Sequence, residues 1–377
     1  MTRPTLARLT ARLTARLTAL LMAASASVSA ADSSEATLVA ARDPLVAIMG
    51  RVAFAADGSA RMGFPGSVIR FAYRGAAPTL RFSATSDDCL FNLAVHGWDP
   101  AAIRLKTGEN AIELPSGPAP ESGYVVELTR RTEAWQGIAT FRGLEVPAGC
   151  TLLPPPAWPT RKLMFIGDSM TCGQYAERLA PDNDATARTS NAARAFGMIL
   201  GRRLGAQVHL VSYGGRGVMR DWEGKTDTGT APEFFERALP DDPASRWDHA
   251  SYQPDVVVIC LGQNDLNQGL PNEGAFLKAY ADFVARIREV YPRAGIVLAE
   301  SAMHGEEPGS DDAKRRDFLR ATIESLIVRR GAAGDTRIAF APVHKAPGTV
   351  HDSHPVAFQH EQIAEQLVGP IRQLTGW

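Results

Sequence analysis

From about residue 160 onward, short apolar runs alternate with stretches of helical period, and this most constrains the fold. The runs fall at 163–166, 207–212, 255–261, 295–300 and 337–341, with helical patterns near 191–204, 274–290, 312–330 and 356–374. Short apolar runs bounded by turn residues read as strands buried on both faces. Strands alternating with helices form βαβ units, whose crossovers are right-handed. The expectation is a three-layer α/β/α domain on a parallel sheet, with its chemistry at the C-terminal strand ends.

The preceding half has another texture. Between about Leu45 and Pro156, β-type runs such as Ser67–Tyr73, Thr79–Phe82, Leu90–Val95 and Tyr124–Leu128 recur between Gly, Pro, Asp and Asn, without a helical stripe. That pattern predicts a small jelly-roll β-sandwich over 45–156. The stiff Leu152-Leu153-Pro154-Pro155-Pro156 stretch marks a boundary, leaving 160–377 as the second domain. Of the 377 residues 45% are hydrophobic and 21% charged, which fits a folded chain. Forty basic residues against 41 acidic ones leave none of the basic excess of a nucleic-acid binder.

Residues 1–30 read as a secretory signal peptide. Arg3, Arg8, Arg12 and Arg16 precede the acid-free stretch Leu17 to Val28, and Val28-Ser29-Ala30 offers a cleavage site. A mitochondrial-type transit peptide is the other reading of this Arg-rich start. No later run reaches the ~18 apolar residues of a membrane span, so a secreted or periplasmic protein, without membrane attachment after cleavage, is expected. Cys89, Cys150, Cys172 and Cys260 allow two disulfides, but their spacing makes no framework, and no Cys-x-x-Cys pair suggests structural zinc. Cys260 reads as a buried small hydrophobe; Cys172 is an alternative nucleophile.

Four segments at strand ends carry chemistry. Gly167-Asp168-Ser169 follows the first apolar run and can present a hydroxyl ahead of a helix. Ser212-Tyr213-Gly214-Gly215-Arg216-Gly217 follows the second run, and its glycines let backbone approach a ligand. Gly262-Gln263-Asn264-Asp265 follows the third and supplies an amide donor. Asp352-Ser353-His354-Pro355 precedes the last helix and supplies a general base with a nearby carboxylate. Each alone reads as a turn or a helix cap. Their occurrence in order at successive strand ends points to one catalytic site.

The order Gly-Asp-Ser, Gly, Gly-x-Asn-Asp, Asp-x-His-Pro resembles the SGNH (GDSL-type) hydrolases. Position 171 is Thr, so the Gly-x-Ser-x-Gly elbow is absent. The running pattern is similar to carbohydrate esterase family 2. It includes Arg130-Arg131-Thr132-Glu133-Ala134 with Gly137, Arg161-Lys162, Gly167 to Gly173 and Ser212 to Trp222. The resemblance implies an SGNH hydrolase domain, with Ser169 as nucleophile and His354 as general base. It also implies an oxyanion hole from the backbone N–H groups of Ser169 and Gly217 and the Asn264 side chain. No metal or organic cofactor is implied. The implied reaction removes O-acetyl groups from polysaccharide sugars of the xylan or glucomannan type, or from a bacterial surface glycan.

Four departures stand out. His351 occupies the position three before His354, so Asp352 is the nearest candidate for the orienting carboxylate. Ser353 stands where an aromatic residue is common. Gln263 replaces a frequent Thr, and Gln174-Tyr175 follow the serine block atypically. Trp222 and Trp247 lie near the glycine block and can stack on a sugar, whereas Trp98 and Trp135 read as structural parts of the sandwich. The sandwich can alternatively wall the cleft, since binding sites favour domain interfaces. Two other readings compete: a carbohydrate-binding protein with an inert hydrolase domain, and a metal hydrolase using His351, His354 and His360.

Overall fold

The computed structural model describes residues 36–114, 122–178, 186–344 and 354–377. The leader segment 1–30 lies outside the described residues, as do Asp352 and its neighbours His351 and Ser353.

The N-terminal half forms two six-stranded antiparallel sheets packed as a sandwich. Side-chain alternation builds its core. Along Tyr124–Arg130, Tyr124, Val126 and Leu128 are buried and the residues between them half-buried. They meet Phe71, Phe82, Phe91 and Phe141 from the other strands. The first strand, Thr37–Ala40, lies upstream of the expected start. It pairs with Ala139–Val146 at the sheet edge, and its partly exposed side chains give little apolar signal.

The second half is a five-stranded parallel sheet in the order Ala206–Ser212, Arg161–Gly167, Val256–Cys260, Gly295–Ala299, Ile338–Ala341. Alternate residues of each strand enter opposite cores. Met164, Ile166, Val257 and Ile259 pack with the helices Glu273–Val290 and Asp311–Ala332. Leu163, Phe165, Val258 and Val297 pack with Phe196–Leu204 and Ala357–Thr375. Three layers result, as the alternating texture requires. The 191–204 helical pattern is interrupted at Ala195. Asn191 caps a short 3-10 turn over Ala192–Arg194, Ala195 is extended, and the α-helix starts only at Phe196.

Because the second strand lies on one side of the first and the third on the other, strand order reverses beside Gly167. A crevice opens at such a switch point, outside the carboxyl ends of the strands. The sandwich is seated on this domain. Fully buried Arg51 donates to the Phe235 and Arg237 carbonyls at 2.5 and 3.1 Å. Its guanidinium also lies over the Phe64, Phe235 and Trp247 rings.

Candidate active site

Ser169 opens a one-turn helix, Ser169–Cys172, directly after the first parallel strand. Asp168 caps the turn by accepting the Met170 N–H at 3.1 Å, and Gly173 ends it in the left-handed region. Gly167 is required by space: a Cβ there would sit 1.9 Å from the Thr171 Oγ1. The turn points the serine side chain into the crevice, where His354 Nε2 lies 2.7 Å from Ser169 Oγ. At that separation the serine hydroxyl and the imidazole nitrogen are within hydrogen-bonding distance.

Asn264, from the end of the third strand, is buried beside them. Its Nδ2 donates to the Arg216 carbonyl at 2.9 Å and to Asp168 Oδ2 at 3.3 Å. The adjacent Asp265 carboxylate accepts the Val218, Met219 and Arg220 N–H groups at 2.9, 2.8 and 3.2 Å, fixing the loop after the second strand. Burial pushes the Asp168 carboxyl up to about 7 and that of Asp265 up to about 6, against the downward pull of these N–H groups. Burial raises the Glu133 carboxyl as well.

A cleft of about 750 Å³ opens over Ser169 and His354. Trp135, Tyr175, Gly214, Gly215, Trp222 and Gln263 are among its walls. Trp222 is half-exposed there, and its backbone N–H donates to the Gly215 carbonyl at 2.9 Å. Trp135, read from sequence as structural, is also half-exposed in this wall. The sandwich therefore contributes to the cleft. Gly217 itself does not line it. Its peptide carbonyl neighbour, Arg216 O, is held by Asn264, and its Cα faces Asp265.

The structure moves Trp247 away from the cleft. Its half-buried indole packs among Arg51, His209 and the core beneath the sheet, where it serves packing. Cys172 is also removed from contention as a nucleophile. It is fully buried, donates to Ser212 Oγ at 3.2 Å, and burial holds its thiol pKa well above the usual value. All four cysteines are free thiols. His360 is buried, accepts the Phe196 N–H at 3.3 Å and stacks on Phe196. Among the described residues no group of three His, Cys, Asp or Glu side chains is arranged to hold a metal.

Tyr175 carries a feature that sequence only hinted at. It is the one non-glycine with positive φ (59°) among the described residues. Its ring meets the His354 imidazole edgewise, at 76° and 5.4 Å between centroids. The Arg178 guanidinium covers that ring at 3.3 Å, and the Tyr175 hydroxyl pairs with Thr186 Oγ1 at 3.0 Å. A backbone outlier held this firmly marks the wall beside the Ser169–His354 contact as a candidate for functional strain. The atypical Gln174-Tyr175 pair was its sequence signal.

Comparison with known proteins agrees with this geometry. Residues 165–357 match the GDSL-like Lipase/Acylhydrolase family, and residues 48–156 match the carbohydrate esterase 2 N-terminal domain. An acetylxylan esterase / glucomannan deacetylase of Cellvibrio japonicus is 33% identical over 90% of this chain and 91% of its own length. The structure of a family two carbohydrate esterase from Cellvibrio japonicus superposes with a TM-score of 0.83 at 31% identity, covering 90% of this chain and 98% of that one. A family two carbohydrate esterase from Clostridium thermocellum, solved in complex with cellohexaose, gives 0.79 at 25% identity over 88% and 99%. A sandwich of the esterase type joined to a GDSL-like domain, with a serine and a histidine in contact at its switch point, places this chain in carbohydrate esterase family 2.

Proposed function

We propose that the chain is a secreted serine esterase that removes O-acetyl groups from polysaccharide sugars through an acyl-enzyme. The observation that carries the reading is the 2.7 Å contact between His354 Nε2 and Ser169 Oγ at the floor of the cleft. His354 takes the Ser169 proton as Oγ attacks the acetyl carbonyl. The oxyanion is met by the Ser169 N–H and the Asn264 amide. Protonated His354 then gives its proton to the departing sugar hydroxyl. Water, deprotonated by the same imidazole, releases acetate and restores Ser169. Asp352 is the carboxylate proposed to hold the imidazole in the required tautomer.

The acetylated polymer is of the xylan or glucomannan type. Support comes from the name of the Cellvibrio japonicus relative and from a cleft whose wall carries two half-exposed tryptophans, Trp135 and Trp222. Among the described residues no helix is long and apolar enough to cross a membrane. A polymer too large to enter a cell suits an exported enzyme, and the arginine-rich leader with its apolar segment supports export. Acetate release from acetylated xylan and glucomannan, measured for the native enzyme and for Ser169→Ala, tests the reading. Release by the native enzyme and loss of about a thousandfold or more in the variant are expected. Substantial turnover by the variant overturns it. Tight polymer binding without acetate release would favour a binding protein instead.

A further inference from the structure

Glu133 belongs by sequence to the sandwich half but reaches the glycine loop of the hydrolase domain. Its side chain is 1% exposed, and its Oε2 accepts the Gly214 N–H at 2.6 Å across 81 residues of chain. A Cβ on Gly214 would lie 2.6 Å from that same oxygen. Position 214 is thus glycine because the carboxylate occupies the space a side chain would need.

The backbone that delivers Glu133 is fixed from several sides. The Arg130 guanidinium donates to the Met62, Thr132 and Glu133 carbonyls at 2.6, 2.8 and 2.9 Å. Arg131 donates to the Ser190 and Arg188 carbonyls at 3.2 and 3.1 Å and pairs with Glu177, while its own carbonyl accepts the Ala192 N–H at 3.1 Å. The Glu133 N–H is capped by Gln136 Oε1 at 2.9 Å. Two arginines therefore lock this segment to both domains, and the acid between them has little freedom.

The loop it grips has a second anchor. Tyr213 donates its N–H to the Gly167 carbonyl at 3.2 Å, and Arg216 O accepts from Asn264 at 2.9 Å. Glu133 holds the first glycine of the loop, while Asn264 holds the peptide preceding Gly217. A loop of consecutive glycines has more backbone freedom than any other, so fixing it takes bonds from outside. We propose that Glu133 is a positioning residue for deacetylation: it sets the Gly214–Gly217 loop so that this backbone and Asn264 are aligned on the developing oxyanion. The sandwich is then a structural part of the active site. The inference rests on Ser169 acting as the nucleophile.

The test compares Glu133→Gln, Glu133→Asp and Glu133→Ala in the full chain, with 4-nitrophenyl acetate as substrate. Rates are normalised to the fraction of Ser169 labelled by a fluorophosphonate, which counts folded sites. Glu133→Gln keeps an acceptor oxygen in place, and kcat within about fivefold of native is expected. Glu133→Asp keeps the charge but withdraws it by one methylene, and Glu133→Ala removes it. For both, kcat is expected to fall by about 10- to 1000-fold, the scale of a misplaced oxyanion donor, with KM within about threefold. If the alanine variant does not fold, the aspartate variant decides alone. A kcat for Glu133→Asp within threefold of native overturns the proposal. So does a loss in the Gln variant larger than that in the Asp variant, which would make charge rather than position the requirement. A native enzyme that neither labels at Ser169 nor hydrolyses the ester would instead sink the esterase reading itself.

Discussion

Asn264 and Asp168 share a hydrogen bond, 3.3 Å from Nδ2 to Oδ2, immediately beneath Ser169. The other Asn264 N–H is committed to the Arg216 carbonyl at 2.9 Å. Of the two, the longer bond is the weaker and is the one that can be exchanged for an oxyanion. In the proposed reaction Asp168 therefore holds Asn264 in place until the oxyanion forms. Asn264→Ala should lower kcat for an aryl acetate by about 10²–10³ and leave KM nearly unchanged, as expected of a donor used only in the transition state. Steady-state kinetics decide this. Equal kcat in the variant would remove Asn264 from the oxyanion hole.

The burial of Asp168 has a thermodynamic signature. Its carboxyl is held up at about 7, against roughly 3.9 in the unfolded chain. Between those values the folded state keeps a proton that the unfolded state has lost. This group's contribution is therefore fully favourable at low pH, falls as pH rises from about 4 to about 7, and is level above. Asp168→Asn cannot titrate but keeps a cap for the Met170 N–H. The stability of the native chain minus that of the variant, from urea unfolding, should decline by a few kcal/mol over this window. A difference independent of pH from 4 to 7.5 contradicts it.

How far the chain could be read in advance depended on the kind of contact involved. The five parallel strands were legible because burial on both faces writes itself as uninterrupted apolar residues, as in Val256–Cys260. Ser169, Asn264 and His354 were legible because each sits against a turn at the end of an element, where periodicity breaks. Glu133 was not. Arg130-Arg131-Thr132-Glu133 entered only as part of the family pattern, and nothing local shows that its partner is Gly214. Trp247 failed for the opposite reason. It is near the glycine block along the chain, but its packing partner Arg51 comes from the sandwich, so the ring points into packing rather than the cleft. Trp135 was assigned with its domain, yet lies where that domain borders the cleft.

Tyr175 offers a test of ring placement separate from hydroxyl chemistry. Tyr175→Phe keeps the edge contact with His354 and the Arg178 stack but loses the bond to Thr186, so kcat/KM within about threefold of native is expected, with stability lower by about 1 kcal/mol. Tyr175→Ala removes the ring that borders the imidazole, and kcat/KM should fall by about tenfold or more. Identical kinetics for the two variants would show that the ring does not steady His354.

Trp222 should matter for polymers and little for small esters. Its half-exposed indole lines the same cleft as Ser169 and His354. Trp222→Ala is expected to raise KM for acetylated xylan or glucomannan by about 2- to 12-fold, the equivalent of ~0.5–1.5 kcal/mol of ring stacking. Its kcat for 4-nitrophenyl acetate should stay within about twofold. An unchanged KM on both polymers would place the sugar elsewhere in the cleft.

Arg51 separates the stability of the domain junction from catalysis. It is fully buried, and burial lowers its guanidinium pKa to about 10, within a range where it stays charged at neutral pH. Its charge is met by the Phe235 and Arg237 carbonyls and by three aromatic faces. Arg51→Ala leaves both carbonyls without this donor and opens a cavity between sandwich and hydrolase domain. A loss of about 3–5 kcal/mol in unfolding free energy is expected, measured by urea denaturation at neutral pH. None of these partners lines the cleft, so kcat per labelled Ser169 should remain native in the fraction that is folded. A variant of native stability would show the junction to be held by apolar packing alone. A folded variant with a much lower kcat would show that Arg51 transmits the seating of the sandwich to the glycine loop.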